Sequence, residues 1–414
     1  MTSNEKSLRD NAFWVLCIMG LFAILSSTMS KSPVLKPFSL SLGTPTDLTG
    51  FVAAASTIPG ILISLPAASL SDIYGRKRFL LIAGLVFASA PFLYLFITVW
   101  WQLVLVRFYH GFATAIFVPV AEASIAELFP TKRGERISLF SSATYIGRVI
   151  APTLGGYILF VTSTNFHVLY LSVAVAGVTA LIMILPFLVK GKQPTTIKQG
   201  ETKETIKTIF RGWRTIVSNR GILVVSFVQA CLYYSYGTAE FYLAGYLPEV
   251  AKLNDFLTGI IITSIIGVAI FARPYMGKVS DKMGRRLPII LGCVVSGLPL
   301  MAVPFVTDFW ILLFFVVVYG FGFATVMSST PALISELASK ELVGTSMGFL
   351  DTTMDVGQTI GPIVSGFILA TSLRYTGIFV SLTSIMLFAG LTFILLSAVT
   401  TSSSKKAEQN IHHQ

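Results

Sequence analysis

The stretch Leu70-Ser-Asp72-Ile-Tyr-Gly75-Arg76-Lys77-Arg78 returns later in the chain as Val279-Ser-Asp281-Lys-Met-Gly284-Arg285-Arg286. The step from Asp72 to Asp281 is 209 residues, and each copy closes one long apolar run and opens the next. Other anchors keep the same step: His110-Gly111-Phe112 falls on Tyr319-Gly320-Phe321, and Glu127 on Glu336. After a slip of one residue, Gly147 falls on Gly357, Pro152 on Pro362 and Gly156 on Gly366. The chain therefore reads as two related halves, each carrying the same charged turn between apolar segments.

The halves are membrane-bound by composition. Hydrophobic residues make up 54% of the 414 and charged residues 12%, with a mean hydropathy of +0.78. An ordinary soluble domain has about 25% charged residues. Crossing a ~30 Å hydrocarbon layer takes roughly 20 apolar residues as a helix. Runs of that length occur at 12–30, 48–70, 79–98, 101–127, 137–160, 166–189, 221–247, 257–276, 287–306, 310–336, 344–370 and 375–398. They are too long and too evenly apolar for barrel strands. The predicted fold is all-α, with twelve transmembrane helices in two pseudo-symmetric six-helix bundles. The first run lacks a small-residue cleavage site and leads straight into the second, unlike a signal peptide. Cys17, Cys231 and Cys293 lie inside apolar runs and read as free thiols.

Residues 1–189 form the first bundle in this reading and 220–398 the second. The polar segment 190–219 between them reads as a linker, with helical spacing of Ile206, Ile209, Phe210, Trp213 and Val217 along the membrane face. The Thr/Ser/Lys-rich tail 399–414 is expected to be disordered. Net charge is +11, but its placement follows topology rather than a nucleic-acid partner. With both termini cytoplasmic, most of the 30 Lys and Arg fall in cytoplasmic segments, and only Lys31, Lys36, Lys252 and Arg374 in outer ones.

The turn beginning at Ala68 resembles the loop signature of the major facilitator superfamily, Gly-x-Leu-Ala-Asp-Arg-x-Gly-Arg-Lys, with Ala68 in place of the first Gly and Gly277 retained in the second copy. The resemblance covers nearly the whole chain. Physically the turn suits an inner-gate latch: Gly75 and Gly284 allow a tight turn. Asp72, and Asp281 in the second copy, can face the positive end of a helix. Arg76 can pair with Glu127, and Arg285 with Glu336.

In the fifth run, Gly147-Arg148-Val-Ile-Ala151-Pro152-Thr-Leu-Gly155-Gly156 resembles the antiporter motif of twelve-helix drug:proton exporters. Ala151 replaces the Gly before the Pro, and Ser138 the first Gly. Gly147, Gly155 and Gly156 permit close packing and Pro152 bends the helix. In the fourth run, Arg107-Phe-Tyr-His110-Gly111 resembles an Arg-x-x-x-Gly motif associated with proton coupling. Arg107 can equally snorkel to the outer interface.

Charges inside the bilayer are functional candidates by default, because each costs at least ~2.5–3.5 kcal/mol at its centre. Arg148 and Asp355 lie roughly 17 Å into their runs at ~1.5 Å per residue. Asp351, Asp355 and Gln358 share one helix face. Asp355 and Asp351, then Glu122, Glu240 and Arg107, are the proton-coupling candidates. Arg148, Tyr145, Gln358, Tyr233 and Tyr236 are the substrate-cavity candidates. Arg148 either neutralises one of the acids or binds an anionic substrate. The first run, ending Ser26-Ser-Thr-Met-Ser30-Lys31, carries no acid of its own.

The resemblance and the buried acids together imply a monomeric secondary transporter in the cell membrane. It would export small amphipathic compounds against protons by alternating access. The alternative is proton-coupled uptake or uniport of a small metabolite, such as an organic anion. No Gly-x4-Gly-Lys-Ser/Thr phosphate loop, nucleophile–base pair or metal-spaced His/Cys cluster is present, so no enzyme activity, cofactor or metal is expected.

Overall fold

The computed structural model describes residues 3–189, 216–339 and 342–411. Among them are twelve long helices: Ser3–Met29, Ile58–Tyr74, Arg76–Tyr94, Trp100–Leu128, Arg133–Val161, Phe166–Val189, Arg220–Glu249, Asp255–Met283, Arg286–Ala302, Phe309–Leu337, Val343–Leu369 and Arg374–Ile411. They are numbered first to twelfth below. Eleven segments of the described chain are long and apolar enough to cross a membrane. The eleventh helix is the exception, because Asp351, Asp355, Gln358 and several Thr and Gly dilute its apolar content.

Helix boundaries follow local chemistry. The side chains of Asn219, Asn254 and Asp308 cap the seventh, eighth and tenth helices by accepting bonds from free N–H groups of the first turn. Gly75 (φ 97°) and Gly284 (φ 79°) turn the chain between the second and third, and the eighth and ninth, helices. Such positive φ values suit glycine.

Packing repeats with a shift of six helices. The first packs on the fifth and sixth, the second on the fourth, and the third on the fourth and sixth. In the second half the seventh packs on the eleventh and twelfth, the eighth on the tenth, and the ninth on the tenth and twelfth. Within each half one close crossing uses equivalent glycines. A Cβ on Gly147 would strike the Leu21 carbonyl oxygen of the first helix, and one on Gly357 the Ala230 carbonyl oxygen of the seventh.

Three sequence expectations change. The second run is not one continuous helix: Thr49–Ala54 and Ile58–Tyr74 are separated by a turn at 55–57. Pro59, with no N–H to donate, sits in the first turn of the new helix, where that donor is not needed. The twelfth helix runs to Ile411, through the tail expected to be disordered. Extending an existing helix needs no new nucleus, and Lys, Ala, Glu and Gln there are good helix formers. Lys31 and Lys36 do not lie in a solvated outer loop. Lys31 turns inward, while Lys36 is 1% exposed on a short helix, Leu35–Ser41, that packs against the seventh helix. The linker helix expected around 201–217 lies almost wholly outside the described residues.

Candidate functional site

The halves meet at the face opposite the basic turns, through backbone rather than bulky side chains. A Cβ on Gly50 would run into the Pro362 carbonyl oxygen of the eleventh helix, and one on Gly259 into the Pro152 carbonyl oxygen of the fifth. Gly50 and Gly259 stand 209 residues apart, so the same device serves both crossings. Gly156 lies against Asp255 and Gly259 of the eighth helix, while Gly155 packs on Met29 and Pro33. Hydroxyls complete the seam: Thr153 with Thr263 at 2.7 Å, Thr57 with Thr359, and Thr49 with Tyr242 at 3.4 Å.

Toward the basic face the side chains along the seam become more exposed. Along one side of the eleventh helix Thr359 is buried, Asp355 half-buried and Asp351 exposed. Asp355 faces the second helix, where a Cβ on Gly60 would come within 2.5 Å of its Oδ2. Asp351 lies within electrostatic reach of Asp355, of Glu122 on the fourth helix and of Arg273 on the eighth. The three acids thus form one cluster shared between the halves. Gln358 departs from their line and packs against Gly237 of the seventh helix.

Arg148 is half-buried on the fifth helix, its guanidinium 5.9 Å from the Tyr145 ring centroid. Tyr233, Tyr236 and Glu240 are also within its electrostatic reach. The rings of Tyr233 and Tyr236 stand 6.0 Å apart and adjoin Phe323 at 5.5 and 5.0 Å. Of the cavity candidates, Arg148, Tyr145, Tyr233 and Tyr236 come together. The expected pairing of Arg148 with an acid is absent among the described residues. Glu240, 2% exposed, instead meets Lys31 at 2.6 Å, an ion pair from the first helix's end to the seventh helix across the two halves.

Arg107 does not reach the outer interface. It is 2% exposed and donates to Ser30, just past the end of the first helix, at 3.4 Å and to Ser56 in the turn before the second. His110, one turn on, shares a 3.3 Å hydrogen bond with Tyr94, whose ring stacks on Tyr170 at 4.3 Å. It is a packed core residue.

At the basic face Arg76 Nε donates to Glu127 at 2.8 Å, and Arg285 Nε to Glu336 at 2.7 Å. Arg76 also pairs with Asp72, and Arg285 with Asp281, four residues back in the same turn. Each of these pairs stays within its own half, so Asp72 is engaged by Arg76 rather than by a helix of the other half.

Two groups of polar residues escaped the sequence reading. Arg273 donates to the Tyr145 hydroxyl at 2.9 Å across the seam between the eighth and fifth helices. Ser56 and Thr57 sit in a break whose only signals were Pro59 and Gly60. Lys31 was read, but as a loop charge.

Two bundles of six helices, related by an internal repeat and enclosing polar groups at their seam, define a multi-pass membrane transporter rather than an enzyme. The family model of the Major Facilitator Superfamily matches residues 16–272 and 236–413, and the chain belongs to that family. It is 24% identical to a multi-drug resistance efflux pump PmrA homolog of Lactococcus lactis, over 84% of this chain and 86% of that one. It is 22% identical to the quinolone resistance protein NorA of Staphylococcus aureus, over 95% of this chain and 97% of that one. Its fold matches a bacterial homolog of the human lysosomal transporter Spinster, solved inward-facing and unoccupied. The TM-score is 0.76 at 14% identity, with 96% of each chain covered.

Proposed function

We propose that the protein exports small amphipathic compounds in exchange for protons, as a monomer, by rocking residues 1–189 against 220–398. The basic turns then face the cytoplasm, as the placement of Lys and Arg favours, with both termini on that side. In this reading the side of the seam toward the basic turns opens inward, and the glycine seam is the closed outer gate.

The observation that carries this reading is the acid cluster of Glu122, Asp351 and Asp355. Its members belong to both halves and grade from the exposed Asp351 to the half-buried Asp355 and Glu122. Carboxyls brought together away from water hold a shared proton, and separating the halves changes how many they hold. Alternating access then couples proton exchange to movement of the halves. Similarity to efflux pumps supports the outward direction. The basic-face pairs, Arg76 with Glu127 and Arg285 with Glu336, keep each half's inner helix ends together and present Asp72 and Asp281 to the opposing half on inward closure.

The test is dye flux in proteoliposomes under an imposed pH gradient, with wild type beside Asp355→Asn. Gradient-driven flux in the wild type, lost in the variant, is expected. Flux indifferent to the gradient would end the proton-exchange reading, and net movement only toward the inner side would reverse its direction.

A further inference from the structure

Toward the far end of the molecule the buried charges are out of balance in a way that the acid cluster does not explain. Lys31 lies near Arg107 and Arg148, and Glu240 is the one acid whose charge reaches both Lys31 and Arg148. Glu240 is already engaged by Lys31 at 2.6 Å. Arg107 is held by the hydroxyls of Ser30 and Ser56, which carry no charge. Arg148 forms no ion pair or hydrogen bond with any described residue, and its guanidinium lies over the face of Tyr145. A cation left unpaired at this depth is costly unless something neutralises it. The fixed groups around it do not.

The surroundings say what would. A guanidinium takes a carboxylate in a planar, two-bonded fork. The Tyr145 hydroxyl accepts from Arg273 at 2.9 Å, which leaves its own hydrogen free to donate to an anion. Tyr233, Tyr236 and Phe323 pack together beside it as an almost fully buried aromatic wall, apolar surroundings that suit a flat aromatic body. We propose that Arg148 is the docking group for the carboxylate of the transported compound, and that the substrate class is aromatic organic anions. This assignment rests on the transport cavity proposed above, but not on proton coupling.

The test uses the full-length protein in phosphatidylcholine nanodiscs and measures binding of 2-naphthoate and of its neutral analogue 2-naphthamide near neutral pH. The acid is expected to bind roughly tenfold or more tightly than the amide. Arg148→Gln should erase that preference, and Arg148→Lys should keep part of it. Equal binding of acid and amide by the wild type overturns the proposal even if the variants fail to fold. So does a preference that survives in Arg148→Gln. Displacement of naphthoate by added phosphatidylglycerol would assign the site to a lipid headgroup instead and also overturns it. Because binding is read without a gradient, a preserved acid preference beside gradient-independent flux removes only the proton-exchange reading.

Discussion

The two ends of the molecule use charge in opposite ways. At the basic face, Arg76 and Arg285 pair within their own halves, with Glu127 and Glu336 that are about half exposed at 47% and 52%. At the far end, Lys31 pairs between the halves with a Glu240 side chain only 2% exposed. An exposed pair is screened by water and contributes about 0–1 kcal/mol, whereas breaking a buried one costs about 3–5 kcal/mol. The far end is therefore where the halves are held in this state. The basic turns shape each half and leave the cavity mouth free.

The largest expected effect follows directly. Lys31→Met leaves the Glu240 carboxylate buried without its partner and is expected to destabilise this state by about 3–5 kcal/mol. Lys31→Met with Glu240→Gln removes both charges and should recover most of the loss. Thermal unfolding of the purified chain measures both. A single variant as stable as wild type would erase the difference between the two ends.

The next effect compares the two glycine crossings at that same far end. Gly50→Val and Gly259→Val each push a side chain into backbone of the other half. Overpacking of this kind costs roughly 1–3 kcal/mol, which is about 5–150-fold in the population of the closed state. Cross-linking of cysteine pairs introduced across the far seam should fall in both variants. The second helix, broken at 55–57, can shift to relieve the strain, and the continuous eighth helix has no such break. Gly259→Val should therefore be the worse of the two. Equal losses would show that the break gives the seam no compliance.

What could be read from the sequence divides along the same line. The basic turns were legible because they repeat: Asp72, Gly75, Arg76 and Glu127 recur as Asp281, Gly284, Arg285 and Glu336, and the structure forms the same bonds in both copies. The glycines of the fifth helix were legible for the same reason, although Gly259, which Gly156 meets, and its counterpart Gly50 were not singled out. The buried ion pair was not legible. Lys31 follows the end of an apolar run by one residue, and run boundaries are uncertain by several residues. Only the short helix folding back on the seventh shows that this position is interior. Arg273 was missed because the eighth helix extends to Met283, beyond the apolar run, which places it inside the helix rather than at its end. Periodicity gives a helix and its faces; it does not say which face of which helix meets the other half.

At the basic face the expected effects split between stability and transport. Arg76→Ala and Arg285→Ala each remove an exposed pair, so unfolding should shift by no more than about 1 kcal/mol. Flux should fall in both if the turns present Asp72 and Asp281 to the other half on inward closure. Asp72→Arg tests that contact by charge reversal. Unaltered flux in Asp72→Arg would reduce the basic turns to topology signals and leave the far end as the only gate.

The smallest effect belongs to the hydroxyl seam beside the break in the second helix. Thr57 Oγ1 and Thr359 Oγ1 meet across the seam, where one donates to the other; the accepting hydroxyl keeps its hydrogen for its own helix, Thr57 for the Ala54 carbonyl at 2.8 Å or Thr359 for the Asp355 carbonyl at 2.7 Å. Thr57→Val keeps the shape and removes the cross-seam bond, while Thr359 retains its bond to its own helix. The loss should sit at the low end of the about 0.5–1.5 kcal/mol of a neutral hydrogen bond. A double-mutant cycle with Thr359→Val isolates it, and a coupling near zero would mean that glycine packing and the Lys31–Glu240 pair close this end without help from the hydroxyls. A coupling well above that range would place the break itself, rather than the ion pair, at the centre of the gate. The ordering of the variants above would then invert.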